Sequence, residues 1–166
     1  VGTVQKVASI VRGNEDSVAD HVERLMTQQR SLEREVEQLK TRVAHAQMAE
    51  LDGAARTIKG VKVLSARVDG MDRQQLRELA DSLRNKWKTG VVALATIGGD
   101  GKVAILTAVT KDLTAKVHAG KLAGTMAAAV GGKGGGRPDM AEAGGTNGEA
   151  LPGALEAVYG SVEGML

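Results

Sequence analysis

Cysteine and phenylalanine are absent from this 166-residue chain, and its only aromatic side chains are Trp87 and Tyr159. Without cysteine there is no disulfide framework and no thiolate zinc site. A reducing compartment, and with it a cytoplasmic location, is the expectation. With two aromatics, a reader of single strands built on stacked rings is nearly excluded, and the core must be assembled from Val, Leu, Ile, Ala and Met. Long hydrophobic runs are missing too. The longest, around residues 91–97, falls far short of the roughly 18 residues a membrane span needs, and no basic start followed by an apolar stretch announces a signal peptide. The first residue is Val rather than Met, which predicts a piece of a longer protein. What remains, 42% hydrophobic and 25% charged, is globular composition. The length suits one domain, or a small domain with an extension.

The net charge of +2 conceals an uneven distribution. Residues 1–52 carry 7 basic and 9 acidic side chains, residues 53–137 carry 15 and 6, and residues 138–166 carry 5 acidic side chains and no basic one. The middle of the chain is the part suited to a polyanion. Lysines solvating an ordinary α/β surface would give the same count.

The first third is helical. Val4, Val7, Ala8 and Val11 share one helical face, Gly13 is placed to end that helix in a left-handed cap, and Asn14 is placed to cap a second. Val18, Val22, Leu25, Gln29, Leu32, Val36, Leu39, Val43 and Ala46 then alternate spacings of four and three, an a/d seam with Val often at a and Leu often at d. Gln29 is its one polar member. A helix over residues 14–51 would be roughly 57 Å long. So long a helix cannot hide its stripe against itself. It packs on the short first helix, on a second copy, or on a part of the parent protein outside this sequence. Val22, Leu25, Leu32, Val36, Leu39 and Val43 are therefore candidate dimerisation residues. His21 and His45 lack partners at metal spacing and read as solvated surface side chains.

The rest alternates strands and helices. Residues 58–68 read as a strand, and Asp72 with Gln75 resembles a capping box. Leu76, Leu79, Ala80, Leu83 and Trp87 follow on one helical face. Trp87 reads as an anchor of that helix to a sheet, with base stacking as the alternative. Residues 91–97 form a continuous apolar strand of a buried sheet. Gly98-Gly99-Asp100-Gly101 turns it into a second strand over 102–109. Thr110 is placed to cap a helix interrupted at Gly120, with Leu113, Val117, Leu122, Met126 and Val130 inward. Pro152 suits the first turn of a last helix. The order strand–helix–strand–strand–helix implies a small mixed sheet with helices on it. The expected fold is thus α/β, with a helical hairpin or coiled-coil extension over residues 1–53 and a globular subdomain over 54–166 containing a glycine-rich loop.

That loop is the most unusual stretch. Gly131, Gly132, Gly134, Gly135 and Gly136 surround Lys133, and Arg137-Pro138 follows. Glycines let backbone N–H groups approach a ligand closely, and an arginine grips phosphate with two parallel bonds. The alternative is a flexible linker, which Pro138, Met140 and Ala143 argue against. Lys111, Lys116 and Lys121, on neighbouring elements, are further candidate phosphate contacts.

Other motifs fail. Lys133 is followed by glycine, so the run is not a P-loop. Gly99-x-Gly101-x-x-Ala104 sits in a hairpin rather than between a strand and a helix. Ser65, Ser82 and Ser161 have no nearby histidine, and His118 has only Asp112, on another helical face. Catalysis by this stretch alone is not expected, and no metal site is.

Residues 131–145, GGKGGGRPDMAEAGG, closely resemble the C-terminal signature of alanyl-tRNA synthetases of the bacterial type. The resemblance extends through VTKDLTAKVHAGKL (residues 109–122) and the long helix before it. The stretch also resembles the accessory domain of DHH-family phosphoesterases, which place His after their glycines where Arg137 stands here. The resemblance implies a C-terminal domain whose globular part contacts the outer corner of an alanine-accepting tRNA and whose helical part contributes to a homodimer. It implies no cofactor in this stretch, since ATP and zinc belong to aminoacylation and editing domains outside it. The other readings are a purely structural dimerisation module and a nucleotide-binding accessory domain.

Overall fold

The computed structural model describes residues 2–166, which divide into two compact units on either side of the Gln47–Met48 bond. In the first, helix α1 (Gly2–Ile10) is followed by a tight corner and the 37-residue helix α2 (Val18–Ala54). Asn14 caps a 3-10 turn, Glu15–Ser17, that leads into α2. Its side chain accepts from the Ser17 N–H while the Ser17 hydroxyl reaches back to the Asn14 N–H, a reciprocal capping box. The left-handed residue of the corner is Arg12 (φ 56°), not Gly13. Gly13 is closely packed: a Cβ there would stand 3.1 Å from the His21 ring and the Ser17 hydroxyl. Ala8 is buried and Val7, Val18, His21 and Val22 are half-buried where the helices meet. Beyond that corner α1 does not cover the seam, and Leu25, Leu32, Val36, Leu39 and Val43 are about half exposed.

The second unit is a six-stranded sheet between helices. Its strands are β1 (Arg56–Ile58), β2 (Val61–Arg67), β3 (Gly90–Ile97), β4 (Val103–Val109), β5 (Lys133–Gly136) and β6 (Met140–Gly145), in the order β1-β2-β3-β4-β6-β5. Only β2 and β3 are parallel, joined through helix α3 (Arg73–Trp87); all other pairs are antiparallel. Alternation along the strands sorts the core into two faces. Leu64, Val92, Leu94, Leu106 and Ala108 pack with Leu76, Ala80 and Leu83 of α3, and Leu51 from the end of α2 joins them. Val63, Val91, Ala93, Ile105 and Val109 pack on the other side with helices α4 (Ala119–Ala129) and α5 (Leu151–Met165).

The compact units divide between Gln47 and Met48, while α2 runs on to Ala54, next to the expected subdomain boundary at residue 53. Leu51 is buried in the sheet's core, and Asp52 accepts hydrogen bonds from Lys62 and the Trp87 indole while pairing with Lys86. Those partners hold its carboxyl well below the usual carboxylate range, Lys86 most strongly. The strand expected over 58–68 is a hairpin, β1–β2, because Lys59 (φ 49°) and Gly60 (φ 81°) form a two-residue turn with both central residues left-handed. Lys59 then donates to the Glu163 carbonyl in the last turn of α5. The helix expected from Thr110 onward is a single 3-10 turn, Lys111–Leu113, and α4 begins only at Ala119. Thr110 does not cap it; its hydroxyl accepts from the Gly90 N–H at 3.1 Å, fastening β3 to the end of β4.

Candidate nucleic-acid interface

The glycine run is not a loop but the end of a helix followed by an edge strand. Gly131 (φ 68°) takes the left-handed position after α4, and the Gly132 N–H donates to the Ala127 carbonyl at 2.8 Å, closing the helix. Residues 133–136 then pair with Gly144, Ala143, Glu142 and Ala141 of β6. Arg137 N–H bonds the Met140 carbonyl at 3.0 Å. By the alternation of an antiparallel ladder, Gly135 is bonded to β6 while the peptide groups of Gly134 and Gly136 turn outward. That outward edge faces α4. A Cβ on Gly120 would stand 2.6 Å from the Gly136 carbonyl, and one on Gly124 3.6 Å from that of Gly134. The helix thus lies against the exposed edge strand. Of the glycines expected to form a cradle of inward amides, Gly131 and Gly132 close a helix and Gly135 pairs with a strand, while Gly134 and Gly136 turn their peptide groups outward and stay exposed. Glycine is required here for packing.

What the run presents outward is charge. Lys133 and Arg137 are exposed at its two ends, about 13 Å apart at ~3.3 Å per residue. The tip that carries Arg137 is fixed from three sides: the Ala119 N–H donates to the Pro138 carbonyl (2.9 Å), and the Val109 N–H (2.8 Å) and the Arg84 guanidinium (3.2 Å) donate to that of Asp139. Here α4 begins, β4 ends and α3 approaches its C-terminus. Lys111 lies two residues past β4, and Lys116 and Lys121 flank the start of α4. These three and Arg137 therefore share one end of the sheet. Lys133 stands at the other end of β5, opposite Gly144.

Ion pairing separates the basic residues into two sets. In the globular unit Arg56, Lys62, Arg67, Arg73, Arg77, Arg84, Lys86, Lys102 and Arg137 each sit against a carboxylate. Among the described residues of that unit, Lys59, Lys88, Lys111, Lys116, Lys121 and Lys133 make no ion pair; Lys59, in the β1–β2 turn, donates to the Glu163 carbonyl. Within the globular unit, four of these unpaired lysines, Lys88, Lys111, Lys116 and Lys121, thus gather around the sheet end formed by the tip, with Lys133 one strand-length away.

Lys88 was not among the expected site residues. It follows α3 with a left-handed φ of 64° and donates its N–H to the Arg84 carbonyl. A lysine in that conformation costs about 1–2 kcal/mol. It shares a cleft of about 630 Å³ with Lys111, Thr89, Thr110, Asp112 and Asp139. The sequence signal was Lys88-Thr89-Gly90, a helix that must reverse at once into a strand. Asp112, in the same cleft, accepts from the Thr89 hydroxyl at 2.7 Å, and hydrogen bonds from Thr110 and Thr89 lower its pKa. It makes no pair with His118, whose Nδ1 is buried with no hydrogen-bond partner among the described residues. Arg73 and Arg77, one turn apart on α3, converge on Glu142, which they hold below its ordinary pKa, Arg77 most strongly. Among the described residues no group of His, Cys, Asp and Glu is arranged to hold a metal ion, and no helix is long and apolar enough to cross a membrane.

A family model described as the DHHA1 domain matches residues 60–164, most of the globular unit and over half of the chain. The chain belongs to the DHHA1 domain family. This DHHA1-containing chain is also 60% identical over 165 residues to an alanine–tRNA ligase of Solibacter usitatus and 45% identical over 155 residues to one of Psychromonas ingrahamii. Those matches take in 99% and 93% of this chain but 19% and 18% of the relatives, so the chain spans about a fifth of the length of the curated relatives it matches. Among solved structures it is similar to the C-Ala domain from Aquifex aeolicus alanyl-tRNA synthetase, with a TM-score of 0.61 and 28% identity, covering 66% of this chain and 97% of that one. The resemblance carried by residues 131–145 therefore extends over the whole length.

Proposed function

We propose that this chain is the C-terminal, non-catalytic part of a cytoplasmic alanine–tRNA ligase, and that its globular unit holds the outer corner of tRNA through the phosphate backbone. The observation that carries this reading is the segregation of charge within the globular unit: Lys88, Lys111, Lys116 and Lys121, none with a carboxylate partner, gather around one end of the sheet, while nine other basic side chains of the unit sit against carboxylates. Lysines bind phosphates as point charges, and a folded RNA presents an A-form surface whose narrow major groove side chains cannot read. Such a contact adds affinity without selecting the amino acid. Its use lies in raising the effective tRNA concentration at catalytic domains joined to it. Alanine-accepting tRNA is the partner, and ATP and zinc are assigned to those other domains. Filter binding of the chain to a bare tRNA transcript at several salt concentrations tests the reading. With four to six phosphates neutralised at ~0.7–0.9 each, the slope of log affinity against log salt should be about −3 to −5. No binding even at low salt rejects it.

The exposed seam of α2 favours a second role, homodimerisation. Val22, Val36 and Val43 at a with Leu25, Leu32 and Leu39 at d suit two parallel strands. In that register Gln29 would meet the partner's Gln29, and Glu35 at g would face the partner's Lys40 at e. Sedimentation at micromolar concentration is expected to give a dimer, and Leu32→Glu with Val36→Glu a monomer that keeps its melting temperature for the globular unit. A wild-type chain that sediments as a monomer removes this role for the chain by itself.

A further inference from the structure

Arg137 and Asp139 stand on either side of Pro138 at the tip of the β5–β6 hairpin. The Asp139 carboxylate meets the side of the guanidinium, Oδ1 lying 3.2 Å from Nε and Oδ2 3.4 Å from Nη2. The arginine side chain is 75% exposed. An ion pair so exposed adds little to stability, about 0–1 kcal/mol at most, so stability does not account for it. Geometry does. A guanidinium has five N–H donors; the side-on contact takes one hydrogen of Nη2, with the carboxylate also lying against Nε. Both Nη1 hydrogens and the second of Nη2 remain, and they form the end-on fork that matches two phosphate oxygens. The carboxylate itself rides on a fixed base. The Asp139 carbonyl receives the Val109 N–H and the Arg84 guanidinium, and Arg84 is anchored in turn by Asp81 and by the Val109 carbonyl. No hydrogen bond to the carboxylate other than that from Arg137 is found among the described residues.

We propose that Asp139 is a positioning residue: it holds one edge of the Arg137 guanidinium so that the opposite edge is presented, already ordered, to a phosphate of the RNA backbone. This rests on the proposed tRNA contact and adds to it a role for an acidic side chain at an otherwise cationic surface. It makes a prediction of unusual sign. Removing a negative charge beside an RNA-binding surface should tighten binding if only Coulomb attraction counts. If Asp139 orders Arg137, its loss restores rotamer freedom that binding must then remove, and affinity falls about 2- to 10-fold.

The test is filter binding of the 166-residue chain to a tRNA transcript at two salt concentrations. The variants are Asp139→Asn, Asp139→Ala, Arg137→Gln and the double variant Arg137→Gln/Asp139→Asn. The tip is held by backbone groups of Arg137, Pro138 and Asp139, so the Asp139 variants should melt as the wild type does. The expected result is weaker binding by either Asp139 variant, weaker binding by Arg137→Gln with a salt slope reduced by about one, and no further weakening in the double variant. Asp139→Asn binding as tightly as wild type or tighter, while Arg137→Gln binds weakly, overturns the inference and leaves the interface standing. Additive effects in the double variant also overturn it, since the aspartate would then act without the arginine. If Arg137→Gln is silent while lysine variants of the same surface weaken binding, the inference fails and the interface survives. If no form of the chain binds, both fail.

Discussion

Changing Lys111, Lys116 and Lys121 together to Gln will lower tRNA affinity by on the order of 100-fold at 0.1 M salt and flatten the salt dependence by about two to three units, at ~0.7–0.9 for each phosphate no longer neutralised. The expectation follows from where these lysines stand. Lys111 follows the end of β4, Lys116 precedes α4 and Lys121 lies in its first turn, all at the end of the sheet where the Ala119 N–H meets the Pro138 carbonyl. None is neutralised by a carboxylate, so each can release a counterion on meeting a phosphate. A charge-matched control separates location from total charge. Lys59, Arg67 and Lys102 changed together to Gln remove the same three charges, but Arg67 and Lys102 stand at the opposite end of the sheet, where β2 ends and β4 begins, and Lys59 lies in the β1–β2 turn at the sheet edge away from β5. That variant should bind within about threefold of wild type. Lys88→Gln, at the cleft shared with Lys111, should remove one phosphate partner and shift the slope by about one. If both triple variants weaken binding equally, the chain attracts RNA by net charge alone and the lysine-rich end of the sheet is not an interface.

The lysines were legible in the sequence as a basic segment, and so was most of the fold, for identifiable physical reasons. The capping box at Asp72 and Gln75, the amphipathic face through Leu76, Leu83 and Trp87, and the apolar strand from Gly90 onward are local signals, and each element formed where its signal lay. The elements misjudged were those decided by interactions distant in sequence. Residues 133–136 have no side-chain pattern to mark a strand; they are one because β6, only a few residues further on, supplies a partner and α4 lies against the exposed edge. The segment after Thr110 has helical spacing, but the Thr110 hydroxyl is taken by Gly90, 20 residues away, and the chain runs on without helix to His118. Lys88 was missed because its importance depends on a left-handed helix end that places it beside Lys111. Ion pairing was illegible altogether. Nothing in the order of residues distinguishes Arg73 and Arg77, which share Glu142, from Lys116 and Lys121, which have no acid. Only the folded surface divides a uniform basic segment into neutralised and free charge, and the proposed function depends on that division.

Gly134→Ala should destabilise the globular unit by about 3 kcal/mol or more, beyond the usual 1–3 kcal/mol of overpacking, whereas Gly135→Ala should be close to neutral. The two positions are adjacent and share composition, strand and exposure, so flexibility cannot distinguish them. Space does. A Cβ on Gly134 would overlap the Ala143 methyl and stand 2.5 Å from the Ala143 Cα, and relief would require β5 to move away from β6 while α4 lies behind it. Around Gly135 nothing lies within 4 Å of the added carbon. Gly132 and Gly136 belong with Gly134: at 132 the new carbon would overlap the Gly144 carbonyl, and at 136 it would stand 2.7 Å from the Ala141 Cα. Urea unfolding of each alanine variant, with m compared to confirm two-state behaviour, measures the difference directly. Equal stability of the 134 and 135 variants would show that β5 and β6 are not so closely apposed. If Gly135→Ala instead keeps its stability but loses tRNA affinity, the open face of the strand touches RNA and the interface extends from Arg137 along β5 toward Lys133. A glycine run that looks in sequence like a hinge or a phosphate loop is, in the folded chain, the thinnest strand a sheet can have, and that thinness lets α4 lie against the edge strand while Lys133 and Arg137 stay in solvent.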